Sequence, residues 1–134
     1  MAIKTQSFAG PDRFGYLAQP EDGTRAGVLI LPTIFGVNEF ARGYADMLAN
    51  NGLAAAVWDI NSGLPLTTDY QECIKRARTL TDAGVAGMLD KWLGFMLDEL
   101  KLGAIVFIPA ATNQPDGTLE AQRVMVGRDV APPQ

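Results

Sequence analysis

AGVLILPTIFGVNEFARGYADMLANNGLAAAVWD, residues 26–59, decides the architecture. Residues 26–31 form an unbroken apolar run, the pattern of a strand buried on both faces. After a loop at 32–38, residues 39–51 place Phe40, Tyr44, Met47 and Leu48 at spacings of three and four, which predicts a helix closed by Gly52. Residues 53–58 are apolar again. Strand, helix and strand therefore fit in about thirty residues, the size of a right-handed βαβ unit.

Working outward, residues 3–8 and 13–18 flank Gly10-Pro11-Asp12, a turn signal between two antiparallel strands. On the other side, 59–68 reads as a loop at the C-terminal end of a strand, where open α/β sheets place ligands. Thr68-Asp69 caps a predicted helix over 70–81, with Ile74, Ala77 and Leu80 as its apolar stripe. A second helix over 84–101 turns Met88, Trp92, Phe95, Met96, Leu97 and Leu100 toward a core. Residues 104–108 form the next strand. The expected fold class is α/β, a mixed, mostly parallel sheet of about five strands with flanking helices. From Pro109 onward the periodicity fails, and Asn113-Gln114-Pro115-Asp116-Gly117 is a turn. The expected division of this one domain is residues 1–103 and an atypical segment 104–134 holding the last strand and a tail.

The 134 residues suit a single domain, and 48% hydrophobic against 19% charged residues argues against disorder. With 15 acids, 11 bases and a net charge of -4, no cationic run tracks a phosphate backbone, so nucleic acid is not an expected partner. No apolar run approaches the roughly 18 residues of a membrane span, and residues 1–10 lack the apolar core of a secretory signal. A cytoplasmic location is expected.

The chain contains no histidine, so it cannot build a Ser-His-Asp or Cys-His relay by itself. Its nucleophile inventory is Cys73, Ser7 and Ser62. One cysteine and no histidine also remove every Cys/His zinc pattern; no metal and no cofactor is expected.

The stretch Val28-Leu29-Ile30-Leu31-Pro32-Thr33-Ile34-Phe35-Gly36-Val37-Asn38-Glu39-Phe40-Ala41-Arg42 resembles the dienelactone hydrolase family, whose members carry an apolar strand, then E-I-F-G-x-N, then a helix with a similarly placed Arg. Asn51 to Asp59 is similar to that family's Q-G-Y-x-x-x-x-P-D segment. The resemblance covers about residues 3–103 and implies part of an α/β-hydrolase fold, with a Cys or Ser nucleophile on a sharp turn after the fifth strand and an Asp and a His beyond it. It implies esters or lactones as substrates. It also implies that the backbone N–H of Ile34 helps hold the oxyanion and that Phe35 lines the same pocket. Read from the residues alone, Ile34-Phe35-Gly36 reads first as a βα connection with Gly36 relieving its backbone.

Three departures stand against activity. The family's Glu is replaced by Thr33, which keeps a hydrogen-bonding group but no charge. The strand 104–108 leads into Pro109-Ala110-Ala111, and no G-x-(C/S)-x-G occurs anywhere in the chain. The family's acid and base have no counterpart. Cys73 sits mid-helix with no imidazole to lower its pKa, and Ser62 beside Gly63 reads as turn chemistry. Asp59, at a strand's end, is a candidate pocket residue with Thr33 and Phe35, or a loop-capping acceptor.

The leading expectation is an ester or lactone hydrolase by descent, interrupted or frameshifted near residue 104 and inactive alone. The competing one is a non-catalytic module that binds a small apolar ligand beside Ile34 and Phe35, or self-associates through an open edge of the strand 104–108. Completion by a separate chain is a third.

Overall fold

The structure is a computed structural model that describes residues 2–108 and the backbone of three short strands beyond them, Thr112–Asn113, Leu119–Glu120 and Met125–Val126. The chain opens with an antiparallel hairpin, β1 (Ile3–Ala9) and β2 (Phe14–Pro20), paired from Ile3 with Pro20 to Ala9 with Phe14. β3 (Ala26–Ile30), α1 (Glu39–Asn50) and β4 (Ala54–Trp58) form the βαβ unit, with β3 and β4 parallel. Next come α2 (Tyr70–Ala77), α3 (Asp82–Gly94), a π-helical turn (Phe95–Glu99) and β5 (Ala104–Ile108), which runs parallel to β3 on its other side.

The sheet order is β1-β2-β4-β3-β5, extended by Met125–Val126 (β8); Thr112–Asn113 (β6) and Leu119–Glu120 (β7) pair separately. Val106 and Phe107 pair antiparallel with Val126 and Met125. This corrects the expectation that the far edge of β5 stands open: unpaired edge groups seek a partner, and the chain's own backbone supplies one for these two residues.

Alternation along the strands sorts the core into two layers. Tyr16, Ala18, Val28, Ile30, Ala55 and Val57 face α1, meeting Tyr44, Ala45 and Ala49. Leu17, Leu29, Ala54, Ala56, Trp58 and Ile105 face the other way, onto Trp92, Met96 and Leu102. The small residues of β4 set the helix spacing. Ala54, Ala55 and Ala56 are fully buried, and they let α1 and α3 approach opposite faces of one strand. Gly15 on β2 is required by the same closeness, because a Cβ there would collide with the Val57 carbonyl oxygen and come within 2.8 Å of the Trp58 Cα and the Trp92 ring.

The helices differ from their expected bounds at their ends. α2 stops at Ala77 rather than Thr81, since Thr81 is the N-cap of α3, its hydroxyl accepting from Gly84 N–H at 3.0 Å. The expected helix 84–101 begins earlier, at Asp82, and changes at Phe95, where Leu100 N–H reaches the Phe95 carbonyl across a wider π turn. Among the described residues, no helix is long and apolar enough to cross a membrane.

Candidate functional site

The loop between β3 and α1 is held from both ends and from beneath. At its far end the Asn38 side chain accepts from Ala41 N–H at 3.0 Å and caps α1, while the Arg42 guanidinium donates to the Val37 carbonyl at 2.8 Å. Within the loop, Gly36 N–H bonds the Thr33 carbonyl at 3.1 Å and Phe35 N–H bonds the Thr33 hydroxyl at 3.2 Å, closing a tight turn over 33–36. From beneath, the buried Asn61 amide donates to the Ile34 carbonyl at 3.3 Å. Gly36 sits at φ +77°, and a Cβ on it would lie 3.3 Å from Asn61 Nδ2 and 3.5 Å from Asp59 Oδ1. The loop after β3 and the loop after β4 are therefore packed against each other at the C-terminal ends of two parallel strands.

A cavity of about 170 Å³ lies on the α1 side of this loop, walled by Ile30, Pro32, Thr33, Phe35, Tyr44 and Val57. Phe35, 37% exposed, forms part of its rim. Burial pushes the Tyr44 phenol above its ordinary range, so it stays neutral near pH 7. Ile34 carries its side chain half-buried, and its N–H donates to no acceptor among the described residues. That N–H is flanked on both sides by residues that line the cavity.

Asp59 lies elsewhere. Its carboxylate accepts from Asn61 N–H and Gly63 N–H, both at 2.9 Å, and it lines a second cavity on the opposite side of the sheet. Thr33 and Phe35 are thus brought together, whereas Asp59 is a loop-capping acceptor that meets them through Gly36 and Asn61. The Thr33 hydroxyl is an acceptor for the turn. Ser62, at φ +50°, is an exposed turn residue, and Cys73 is buried with its thiol 3.8 Å from the Thr67 carbonyl. Residues 109–111, where a nucleophile elbow would follow β5, lie outside the described residues. Among the described residues, no group of His, Cys, Asp and Glu gathers in a way that could hold a metal ion. Asn61 escaped sequence reasoning because Asp-Ile-Asn-Ser-Gly reads as turn composition; its only signal was its place three residues beyond a strand end.

No family model matches the sequence, and no curated protein matches it. Solved structures do. A chain called m3DLH is 25% identical with a TM-score of 0.68, the alignment covering 81% of this chain and 50% of that one. A protein assigned as a dienelactone hydrolase from Klebsiella pneumoniae subsp. pneumoniae MGH 78578 is 25% identical with a TM-score of 0.61, over 71% of this chain and 44% of that one. This chain carries part of a dienelactone-hydrolase-like fold. A dienelactone hydrolase-like promiscuous phosphotriesterase from metagenomic libraries shares the architecture at 21% identity and a TM-score of 0.64, over 81% of this chain and 49% of that one. The chain spans about half the length of these dienelactone-hydrolase-like structures. The resemblance quoted at residues 28–59 lies on β3, the loop after it, α1 and β4, with both strands in the interior of this chain's sheet.

Proposed function

We propose that the chain is the oxyanion-side part of an ester- or lactone-hydrolysing domain of the dienelactone hydrolase type, and that it does not hydrolyse esters by itself. The observation that carries this reading is the pinned turn over 33–36, whose Ile34 N–H has no acceptor among the described residues and sits between Thr33 and Phe35, which line an apolar cavity. A backbone donor fixed in advance stabilises a developing oxyanion without reorganising, and removing one such donor typically lowers kcat by about 10²–10³. Such a donor completes nothing without a nucleophile and a base. The sequence holds no histidine and no G-x-(C/S)-x-G, and Tyr44 in the cavity wall is a neutral phenol. In this reading the gene is an interrupted or frameshifted hydrolase, its pattern lost beyond β5.

Two measurements test it. Hydrolysis of an activated phenyl ester and of a small lactone by the 134-residue chain is expected to equal the buffer rate, with Ile34→Pro, which deletes the N–H, making no difference. Turnover above buffer that Ile34→Pro abolishes would overturn the inactivity. Sequencing the coding DNA from about codon 95 through the bases beyond the stop, read in three frames, is expected to show G-x-(C/S)-x-G followed by an Asp and a His. Its absence from every frame would sink the interrupted-hydrolase reading and leave a small apolar ligand beside Phe35 as the next hypothesis.

A further inference from the structure

The cavity of about 170 Å³ on the α1 side holds an unused hydroxyl. Ile30, Val57 and Tyr44 line it from the core, and Phe35 and Phe40, 37% and 42% exposed, form its rim. Tyr44 is 8% exposed, yet its hydroxyl has no hydrogen-bond partner among the described residues, and burial alone raises its phenol. Tyr16, equally buried on the same face, shows the contrast by donating to Asp46 Oδ1 at 2.6 Å. Side chains of a helix lean toward its N-terminus, and α1 starts at the loop, so the Tyr44 ring leans from the second turn toward the loop that borders the cavity. Among the described residues, the side-chain polar atoms shut from solvent without a partner are Arg13 Nε and Trp58 Nε1, so the Tyr44 hydroxyl keeps accessible surface. A buried hydroxyl left unpaired is costly until water or a ligand meets it.

The rest of the lining defines what that ligand is. Thr33 and Asn38 are the other polar side chains, but Thr33 is exposed with its hydroxyl accepting from Phe35 N–H, and the Asn38 oxygen accepts from Ala41 N–H. None of the described residues lining the cavity carries a charge. Arg42, the one cation of α1, turns its guanidinium to the Val37 carbonyl at 2.8 Å instead. An ion entering here would leave water without a counter-charge, whereas a neutral molecule with one acceptor would be matched. An apolar cavity of about 150 Å³ takes benzene, so this one suits a ring of about six or seven non-hydrogen atoms.

We propose that this cavity binds a small uncharged ring bearing a carbonyl group, one oxygen accepting from the Tyr44 hydroxyl and the carbons packing on Ile30, Val57 and Phe35, and that it rejects the same ring carrying a carboxylate. The inference rests on the ester and lactone reading above only in naming a neutral lactone, rather than an anionic one, as the member of that class that fits. A cyclic ketone of the same size fits equally.

The test uses the full 134-residue chain with carbon-13 at the tyrosine Cζ and the isoleucine methyl positions, and cyclohexanone as probe. The chain has three tyrosines, and Tyr44→Phe and Ile30→Val assign the two reporting resonances. Saturable shifts of Tyr44 Cζ and of the Ile30 methyl are expected with millimolar cyclohexanone, and none with cyclohexanecarboxylate at the same ionic strength. Tyr44→Phe, followed at Ile30, is expected to weaken cyclohexanone about fivefold, the worth of one neutral hydrogen bond, and to leave benzene binding within about twofold. Ala41→Leu, which fills the cavity from α1, is expected to abolish saturation by both probes, with the Ile105 methyl on the α3 side unchanged as a check on the fold. Failure of cyclohexanone to saturate overturns the proposal, as does an equal response to the carboxylate, an equal loss of both probes in Tyr44→Phe, or undiminished binding in Ala41→Leu. Cyclohexanone holds no ester bond, so the outcomes separate from those of the hydrolysis assay: ester turnover would overturn the inactivity and leave this site standing, and absent binding would overturn this site and leave the oxyanion-side reading standing.

Discussion

Gly36 shows what one residue does in this loop. Its φ of +77° is a conformation that an L side chain adopts at a cost of about 1–2 kcal/mol, and a Cβ there would press on Asn61 Nδ2 and Leu66 Cδ2, each at 3.3 Å. Gly43, in the middle of α1, has ordinary helical geometry and open space around the same position. Alanine is therefore expected to act oppositely at the two sites: Gly36→Ala destabilises by about 1–2 kcal/mol, and Gly43→Ala stabilises by about 0.5–1 kcal/mol. Urea unfolding midpoints measure both, and a Gly36→Ala protein as stable as the parent would mean that the loop relaxes freely. The sequence made the glycine visible as backbone relief and Phe35 as a pocket residue. It could not make visible that Asn61, distant along the chain, holds the Ile34 carbonyl, because that bond exists only once β3 and β4 lie side by side.

Elements were legible where periodicity and caps agree, and less so where one residue can serve two helices. The apolar runs at 26–31 and 53–58 became β3 and β4 because nothing in them competes with burial on both faces. Thr81, by contrast, sits within the periodic stretch of α2 yet caps α3, and the hydroxyl's bond to Gly84 N–H decides the boundary. The Phe95 π turn has no sequence signal of its own; it keeps Trp92 and Met96 buried while turning the chain toward β5. Thr81→Ala is expected to lower stability by about 1 kcal/mol, and Thr81→Asp to restore most of it, since a carboxylate accepts the same N–H. Equal losses for Ala and Asp in denaturant midpoints would show that packing, not capping, starts α3.

At the scale of the whole molecule, the sheet order followed from the βα alternation, but closure of the β5 edge did not. Periodicity describes which side of a strand is buried and carries no information about a backbone that pairs from the tail. The α1 face of the sheet adds a response to pH. Tyr16 and Tyr44 are each 8% exposed, and burial raises both phenols above their ordinary value of 10.0. For Tyr16 a second cause acts in the same direction, because its hydroxyl donates to Asp46 Oδ1 at 2.6 Å and ionisation would set a phenolate beside a carboxylate. As pH climbs past about 10 the unfolded chain loses these protons first, while the folded chain holds them. The stability linked to the two phenols is therefore fully present below about pH 10 and is lost progressively above it, toward the raised folded values. Urea midpoints taken from about pH 7 to pH 11 are expected to fall at the alkaline end, and to fall less steeply in the Tyr16→Phe/Tyr44→Phe protein, which has no phenols at these two core positions to ionise. Parallel alkaline declines in the two proteins would assign the loss to groups outside this face of the core.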